Sequence, residues 1–463
     1  MRETIHIYHT NDVHSHFERW PKVVHYLKNE RRKHVKNNEH MVLLDIGDFI
    51  DRFHPLTEAS DGKANVILLN DAAYDAVTIG NNEGITLSHK QLDTLYAHAT
   101  FPIIVANVFY ENGKRPHWMK PYVIMTFGRA RIAFIGVTVP FQTFYELLGW
   151  RVADPFDTVA QLIKELSKQV DAIILLSHLG MNDDEKMAET FPQLTAILGG
   201  HTHHVFEHGK RVNETLLCGA GKFAHYVGCL TLTIDEKNRK VDAVAHVQHT
   251  DAFEHECVET KRKLDEMMDE AARILAQPIV HLPESLHIDW FSPSPLASLL
   301  AQALNEWCDG DVAMVNAGVL LAALPKGVVT KGDIHRICPH PINPCKVYLR
   351  GSELKEVILQ AETEQMKQLR MKGFGFRGEV MGQMVYDRII VEKEQLVDGQ
   401  EHVRRIFINH QLIDEQKTYA VATIDMFTFG HLYPEIYRAK KQYYMPEMLR
   451  DVLAWKLKNM YER

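Results

Sequence analysis

Short apolar runs punctuate the first half of the chain: IHIY at 5–8, MVLLDI at 41–46, IIVAN at 103–107, IAFIGV at 132–137 and DAIILLS at 171–177. They are rich in β-branched residues and mostly do not alternate, which predicts strands buried on both faces. Between them, Val159, Leu162, Ile163 and Leu166 recur at helical spacing, and KANVILLNDAAY at 63–74 reads as another helix. Strand, helix and strand in repetition predict an α/β layered domain. YVGCLTLTI at 226–234 alternates better and predicts an antiparallel strand.

The segment 257–277 then carries one apolar stripe, Leu264, Met267, Met268, Ala271 and Leu275, on an otherwise charged helix. It reads as a connector, dividing the chain into 1–255, a linker at 256–280 and a second domain at 281–463. In that second part, Leu296, Leu299, Leu300, Ala303, Leu304 and Trp307 predict a helix, and DVAMVNAG at 311–318 a strand entering a Gly turn. CKVYLRG, HVRRIFIN and YAVATID read as further strands, and MPEMLRDVLAWKLK as a terminal amphipathic helix. A length of 463 residues accommodates two hydrophobic cores.

Composition narrows the function only a little. A formal net charge of −8 argues against a duplex nucleic acid partner, which needs concentrated positive charge. Six cysteines are too few for a disulfide scaffold and are read as thiols. No apolar h-region follows Arg2 and no apolar run approaches a membrane span, so a cytoplasmic protein without a membrane partner is expected. Oligomeric state is left open.

Polar residues at the ends of the apolar runs carry more information. IHIYHT is followed by Asp12 and His14, MVLLDIG by Asp48, AVTIG by Asn81, IILLS by His178, and AILGG by His201 and His203. Each alone fits a cap or a turn. Together they place seven O and N donors beyond successive strand ends, where α/β sheets build sites. Two divalent ions about 3.5–4 Å apart need a shared carboxylate, a role suited to Asp48. Imidazole mixed with carboxylate and amide oxygen suits Mn, Zn, Fe or Co. Such ions would let a net-acidic chain bind an anionic substrate.

HTNDVH at 9–14, GD at 47–48, GNNE at 80–83, SHLG at 177–180 and GHTH at 200–203 resemble, in order and spacing, the 5'-nucleotidase family of calcineurin-like metallophosphoesterases. The resemblance continues through NAG at 316–318, GDIHRICPHPIN at 332–343 and VATIDMFTFG at 421–430. It implies a four-layer αββα sandwich followed by a smaller α/β substrate-recognition domain. It also implies one metal on Asp12, His14, Asp48 and His203, and a second on Asp48, Asn81, His178 and His201.

Departures from the family pattern bear on turnover. The family's GNHE reads GNNE here, so Asn82 replaces a His. Asn cannot deliver a proton, although its amide is expected to donate a hydrogen bond to the phosphoryl group. His54 and His89 are nearby in sequence as substitutes. In the second domain, Asn316, Gly318, Phe374, Phe376, Arg377, Phe427 and Phe429 are the candidate substrate contacts; Met426 stands where the family has a stacking ring. Asp48, Asn81 and Asn82 are the candidate catalytic residues. The expected activity is hydrolysis of a small, nucleotide-like phosphomonoester by in-line attack of metal-activated water. The alternatives are a nucleotide-sugar pyrophosphohydrolase, a cyclic-nucleotide phosphodiesterase, or a metal-dependent nucleotide-binding protein with little catalysis.

Overall fold

The structure is a computed structural model and describes residues 2–461 apart from 236, 238, 396–400 and 431. The chain divides into two compact units, Met1–Ala271 and Ala272–Arg463. The division falls inside the helix Val258–Leu275.

The first unit holds two sheets. In the seven-stranded sheet, β1 (Arg2–Thr10), β2 (His40–Asp45) and β3 (Ala76–Val77) run parallel, and Tyr226–Asp235 pairs antiparallel to β1. The six-stranded sheet is centred on Ala172–His178, parallel to both Ala130–Thr138 and Ala196–Gly199. Alternation along β1 sends Ile5 and Ile7 inward. There they share one core with Leu44, Phe134, Ile174, Leu176 and Leu198. This apolar layer packs the sheets face to face.

Helices cover the outer faces. Val159, Leu162, Ile163 and Leu166 of the helix Pro155–Leu166 pack on Ile135, Ile173 and Leu175. On the other side, Tyr8 of β1 meets the helix α1 (Trp20–Lys36) through Glu30 and His34. The first unit is therefore an αββα sandwich. The consequence for function is directional: the parallel strands of each sheet end on one side, and their loops gather there.

The second unit is a smaller α/β domain. Its five-stranded sheet places Val312–Asn316 next to Thr418–Ile424 and Met384–Asp387, with Pro344–Arg350 and Lys440–Tyr443 beyond. The helices Pro295–Cys308 and Leu449–Tyr461 bury their leucines against it. No described helix is long and apolar enough to cross a membrane. The cysteines are free thiols.

Candidate metal centre

Two glycines make the site possible. A Cβ on Gly47 (φ +88°) would lie 2.4 Å from the Gly80 nitrogen, and a Cβ on Gly80 would lie 2.1 Å from Asp48 Oδ1. The loops after β2 and β3 can therefore abut only without side chains at these two positions. Glu83 then ties them together. Its carboxylate accepts the backbone N–H groups of Asp48 (2.9 Å), Gly80 (2.8 Å) and Ile50 (3.0 Å). Asn11 does the same for the loop after β1, donating to Asp12 Oδ2 (2.8 Å) and Gly221 O (2.7 Å) and accepting from Ala220 N.

All seven predicted donors converge on this scaffold. His14 Nε2 lies 3.3 Å from His203 Nε2 and 3.7 Å from Asp12 Oδ1, and His203 Nε2 lies 3.4 Å from that same oxygen. Beside this trio stand Asp48, His178 and His201. Asn81 Oδ1 is 2.8 Å from His201 Nδ1. Both carboxylates reach the two groups: Asp48 Oδ2 is 3.7 Å from His14 Nε2 and 3.4 Å from His178 Nε2, and Asp12 Oδ1 lies 3.7 and 3.9 Å from the same nitrogens. The other Asp48 oxygen is occupied, accepting the Asn82 N–H at 2.7 Å.

Three features fit a cation. First, the His178 ring is fully buried and donates Nδ1–H to Ile46 O at 2.7 Å, which leaves Nε2 buried without a hydrogen-bond partner. An imidazole oriented through one nitrogen with the other presented inward is the usual arrangement of a metal ligand. Second, two imidazole nitrogens facing each other across 3.3 Å need positive charge between them or a proton on one. Third, Asp12, His14, Asp48, His201 and His203 all adopt positive φ, between 49° and 71°. Each costs about 1 kcal/mol or more for a residue with a Cβ, and such strain gathers at functional sites.

Electrostatics agree. Burial alone would lower His14 and His178; carboxylates outweigh it and push both up to about 10. Asp12, Asp51 and Asp48 act on His14, and Asp48 and Asp12 on His178. Burial would raise the Asp12 carboxyl, yet His14, His203 and His178 hold it well below its usual range. The cluster is a buried pair of carboxylates that demands positive charge.

Not every predicted contact survives. Asn82 does not face outward: it is buried, its Nδ2 donates to Ile50 O at 2.9 Å, and that nitrogen lies 3.0 Å from His14 Nδ1. Its amide is engaged at Ile50 O, behind His14, rather than presented at the mouth of the site. Of the substitutes, His89 stacks on Trp150 at 4.1 Å and lies against Leu148 O, while His54 caps the helix Pro55–Ser60.

In the second unit, Phe427 is fully buried edge-on to Tyr433, and Phe376 is buried against His340. Both are core residues, which corrects their reading as substrate contacts. Asn316 and Gly318 are also buried. They hold the backbone at Met381 through bonds of 2.8 and 2.9 Å, and a Cβ on Gly318 would lie 1.9 Å from Val380 O. The Arg377 side chain turns onto Phe376 O. Phe374 and Phe429 remain as a parallel ring pair, 6.0 Å between centroids and 14° apart, with Phe374 52% exposed.

Sequence comparison adds the decisive observation. Residues 5–205 match the calcineurin-like phosphoesterase model, and residues 278–432 match the model of the 5'-nucleotidase C-terminal domain. The metallophosphoesterase YunD of Bacillus subtilis, described as uncharacterized, is 51% identical over 460 residues, covering 99% of this chain and 100% of that one. The chain belongs to the 5'-nucleotidase family of calcineurin-like metallophosphoesterases. A snake venom 5'-nucleotidase from Naja atra is 22% identical over 412 residues, 76% of each chain. The fold is shared with the NAD nucleotidase of Haemophilus influenzae (TM-score 0.69, 16% identity, 100% of this chain and 96% of that one). It is also shared with a 5'-nucleotidase precursor from Thermus thermophilus (TM-score 0.60, 19% identity, 99% and 97%). Membership of this family makes the protein a metal-dependent phosphoesterase.

Proposed function

We propose that the chain hydrolyses a small nucleotide-like phosphomonoester at a two-metal centre. One ion would be held by Asp12, His14, Asp48 and His203, the other by Asp48, Asn81, His178 and His201. The observation that carries this reading is the position of Asp48 Oδ2, 3.7 Å from one buried imidazole nitrogen and 3.4 Å from another. That oxygen faces both halves of the donor set. Mn, Zn, Fe or Co suits this mixture of imidazole, carboxylate and amide. Bound there, such ions supply polarisation of the phosphoryl oxygens and a lowered pKa for attacking water.

The chain's own residues have definable tasks. Asp12 and Asp48 bring the negative charge and are kept ionised by the surrounding imidazoles. Asn81, half exposed and bonded to His201, offers its amide to the mouth of the site and can orient a phosphoryl oxygen. Asp51, 3.3 Å from His14 Nδ1, can accept the N–H of that nitrogen and leave Nε2 to face the ion. No nucleophilic side chain is required, and the completed donor set favours turnover over mere binding.

Within the second unit, Phe374, 52% exposed, and the half-buried Phe429 form a parallel ring pair on which a flat aromatic group can stack. Stacking on such rings contributes about 1–3 kcal/mol per base. A nucleoside monophosphate fits this chemistry.

A phosphate-release screen on the full chain loaded with Mn²⁺ tests the proposal, with nucleoside mono-, di- and triphosphates, cyclic nucleotides and UDP-sugars as substrates. Release from monophosphates, lost in Asp48→Asn, is the expected outcome. With products also identified by chromatography, hydrolysis only of diesters or pyrophosphates, which yields monoesters and no free phosphate, would overturn the monoester assignment, and no product from any substrate would overturn catalysis.

A further inference from the structure

A second cluster of donors lies on the other course of β1. Alternation puts His6 and Tyr8 on the face opposite Ile5 and Ile7, toward α1. His34 stands in the last turn of that helix. The chain then reverses at Asn38 (φ +57°), and the Glu39 N–H bonds back to His34 O at 2.8 Å. This turn folds the Glu39 carboxylate over the helix end. Its Oε2 lies 2.8 Å from His34 Nδ1 and 3.7 Å from His6 Nε2. The two imidazoles stack at 4.0 Å and present nitrogens to the same oxygen.

The outward nitrogens are what distinguish this trio from an ordinary cap. His6 Nδ1 is 3.1 Å from Thr231 Oγ1, the neighbour across the sheet. With its proton there, Nε2 carries a lone pair that is buried, lacks a hydrogen-bond partner and is aimed at a carboxylate. In that tautomer the contact is repulsive until a cation enters. His34 Nε2 is 3.1 Å from Tyr8 OH, which in turn donates to Glu30 Oε2 at 3.2 Å. A hydrogen-bond acceptor behind each imidazole is the outer shell that metal-ligating histidines have. Burial, then the neighbouring His34, lowers the His6 pKa and keeps the ring neutral and able to coordinate. The carboxyl end of α1 also favours positive charge.

We propose that His6, His34 and Glu39 bind one divalent transition-metal ion of the zinc class, separate from the centre at the strand ends. The ligand atoms of the three lie within 4.8 Å of one another. Two imidazoles and a carboxylate match a three-ligand zinc site, with water completing the shell. The Glu39 side chain is 35% exposed, so an ion can enter from solvent. On binding, His34 carries its proton on Nε2, donating to Tyr8, and Nδ1 turns to the ion; no proton need leave a neutral ring. The ion would clamp α1 to β1 four residues, roughly 13 Å, before the strand ends and the Asp12 loop begins.

The test is metal counting on the metal-stripped full chain titrated with Co²⁺, read by visible absorption and calorimetry. An Asp12→Asn, Asp48→Asn double variant should retain one equivalent, and adding Glu39→Gln should weaken it at least about 10-fold. In the otherwise unaltered chain, Glu39→Gln or His6→Gln should bind one ion fewer, show a smaller zinc-dependent rise in Tm and keep Mn²⁺-supported turnover within about twofold. This comparison decides the matter if the double variant does not fold. Unchanged stoichiometry and affinity in Glu39→Gln and His6→Gln would overturn the site and leave a hydrogen-bonded helix cap. An inactive wild-type chain would count against the proposed phosphomonoesterase without altering this count.

Discussion

The two units treat their polar and aromatic residues in opposite ways. In the first, every donor that follows a strand arrives at one place, and the surrounding backbone pays in strained φ angles to keep it there. In the second, most candidate contacts turn inward: Phe376 and Phe427 join the core, and Asn316 and Gly318 brace a neighbouring loop. Only Phe374 and Phe429 present a usable surface pair. A reaction centre built from parallel strand ends has its geometry imposed by the sheet. A surface built from loops has no such constraint and can be rebuilt residue by residue.

The largest expected effect breaks the first unit alone. Asp48→Asn removes the oxygen shared by both halves of the donor set, so phosphoester turnover should fall by more than about 100-fold, beyond what outer-shell partners cost. The protein should stay folded by circular dichroism. Next in size, Phe427→Ala should destabilise the second unit by about 3–5 kcal/mol, as expected of a buried ring. Denaturant unfolding would show it. Phe374→Ala should leave the midpoint within about 0.5 kcal/mol, as an exposed residue does. A comparable loss at both positions would contradict the division between core and surface rings.

A pH series sharpens the comparison within the second unit. Burial lowers His340 to about 3, and its neutral ring is satisfied by Val319 O and the Arg377 N–H. The folded pKa lies below the unfolded value, so the unfolded chain takes up the proton first. Stability is therefore full above about pH 6.5 and declines as pH falls toward 3, by on the order of 2 kcal/mol at pH 5. Thermal melts at pH 7 and pH 5 should show this loss, and His340→Gln should flatten it. The last effect concerns recognition. Phe374→Ala should raise KM for a nucleoside monophosphate by about 5–150-fold, the equivalent of one lost stack, with kcat and p-nitrophenyl phosphate hydrolysis little changed.

The same contrast explains what the sequence disclosed. Asp12, His14, Asp48, Asn81, His178, His201 and His203 each follow an apolar run, so their gathering at parallel strand ends could be read from order alone. The layered sandwich was legible for the same reason, since runs such as MVLLDI and DAIILLS have only one way to be buried on both faces. Glu83 and Asn11 escaped notice because their work is loop to loop, on backbone N–H groups that no periodicity reveals. The signal for Glu83 was its place three residues after Gly80, where a capping carboxylate sits. The direction of the Asn82 amide, which donates to Ile50 O, was not legible because an amide in a loop can point either way. The aromatics of 371–382 and 421–430 were ambiguous because ring burial depends on which loop crosses which, as with Phe376 on His340.

The most direct test of the shared-carboxylate centre is electron paramagnetic resonance of the metal-stripped chain reloaded with two equivalents of Mn²⁺. The account predicts an exchange-coupled pair signal in the wild type that is lost in Asp48→Asn. Uncoupled mononuclear Mn²⁺ in the wild type, or coupling that persists in Asp48→Asn, would contradict it.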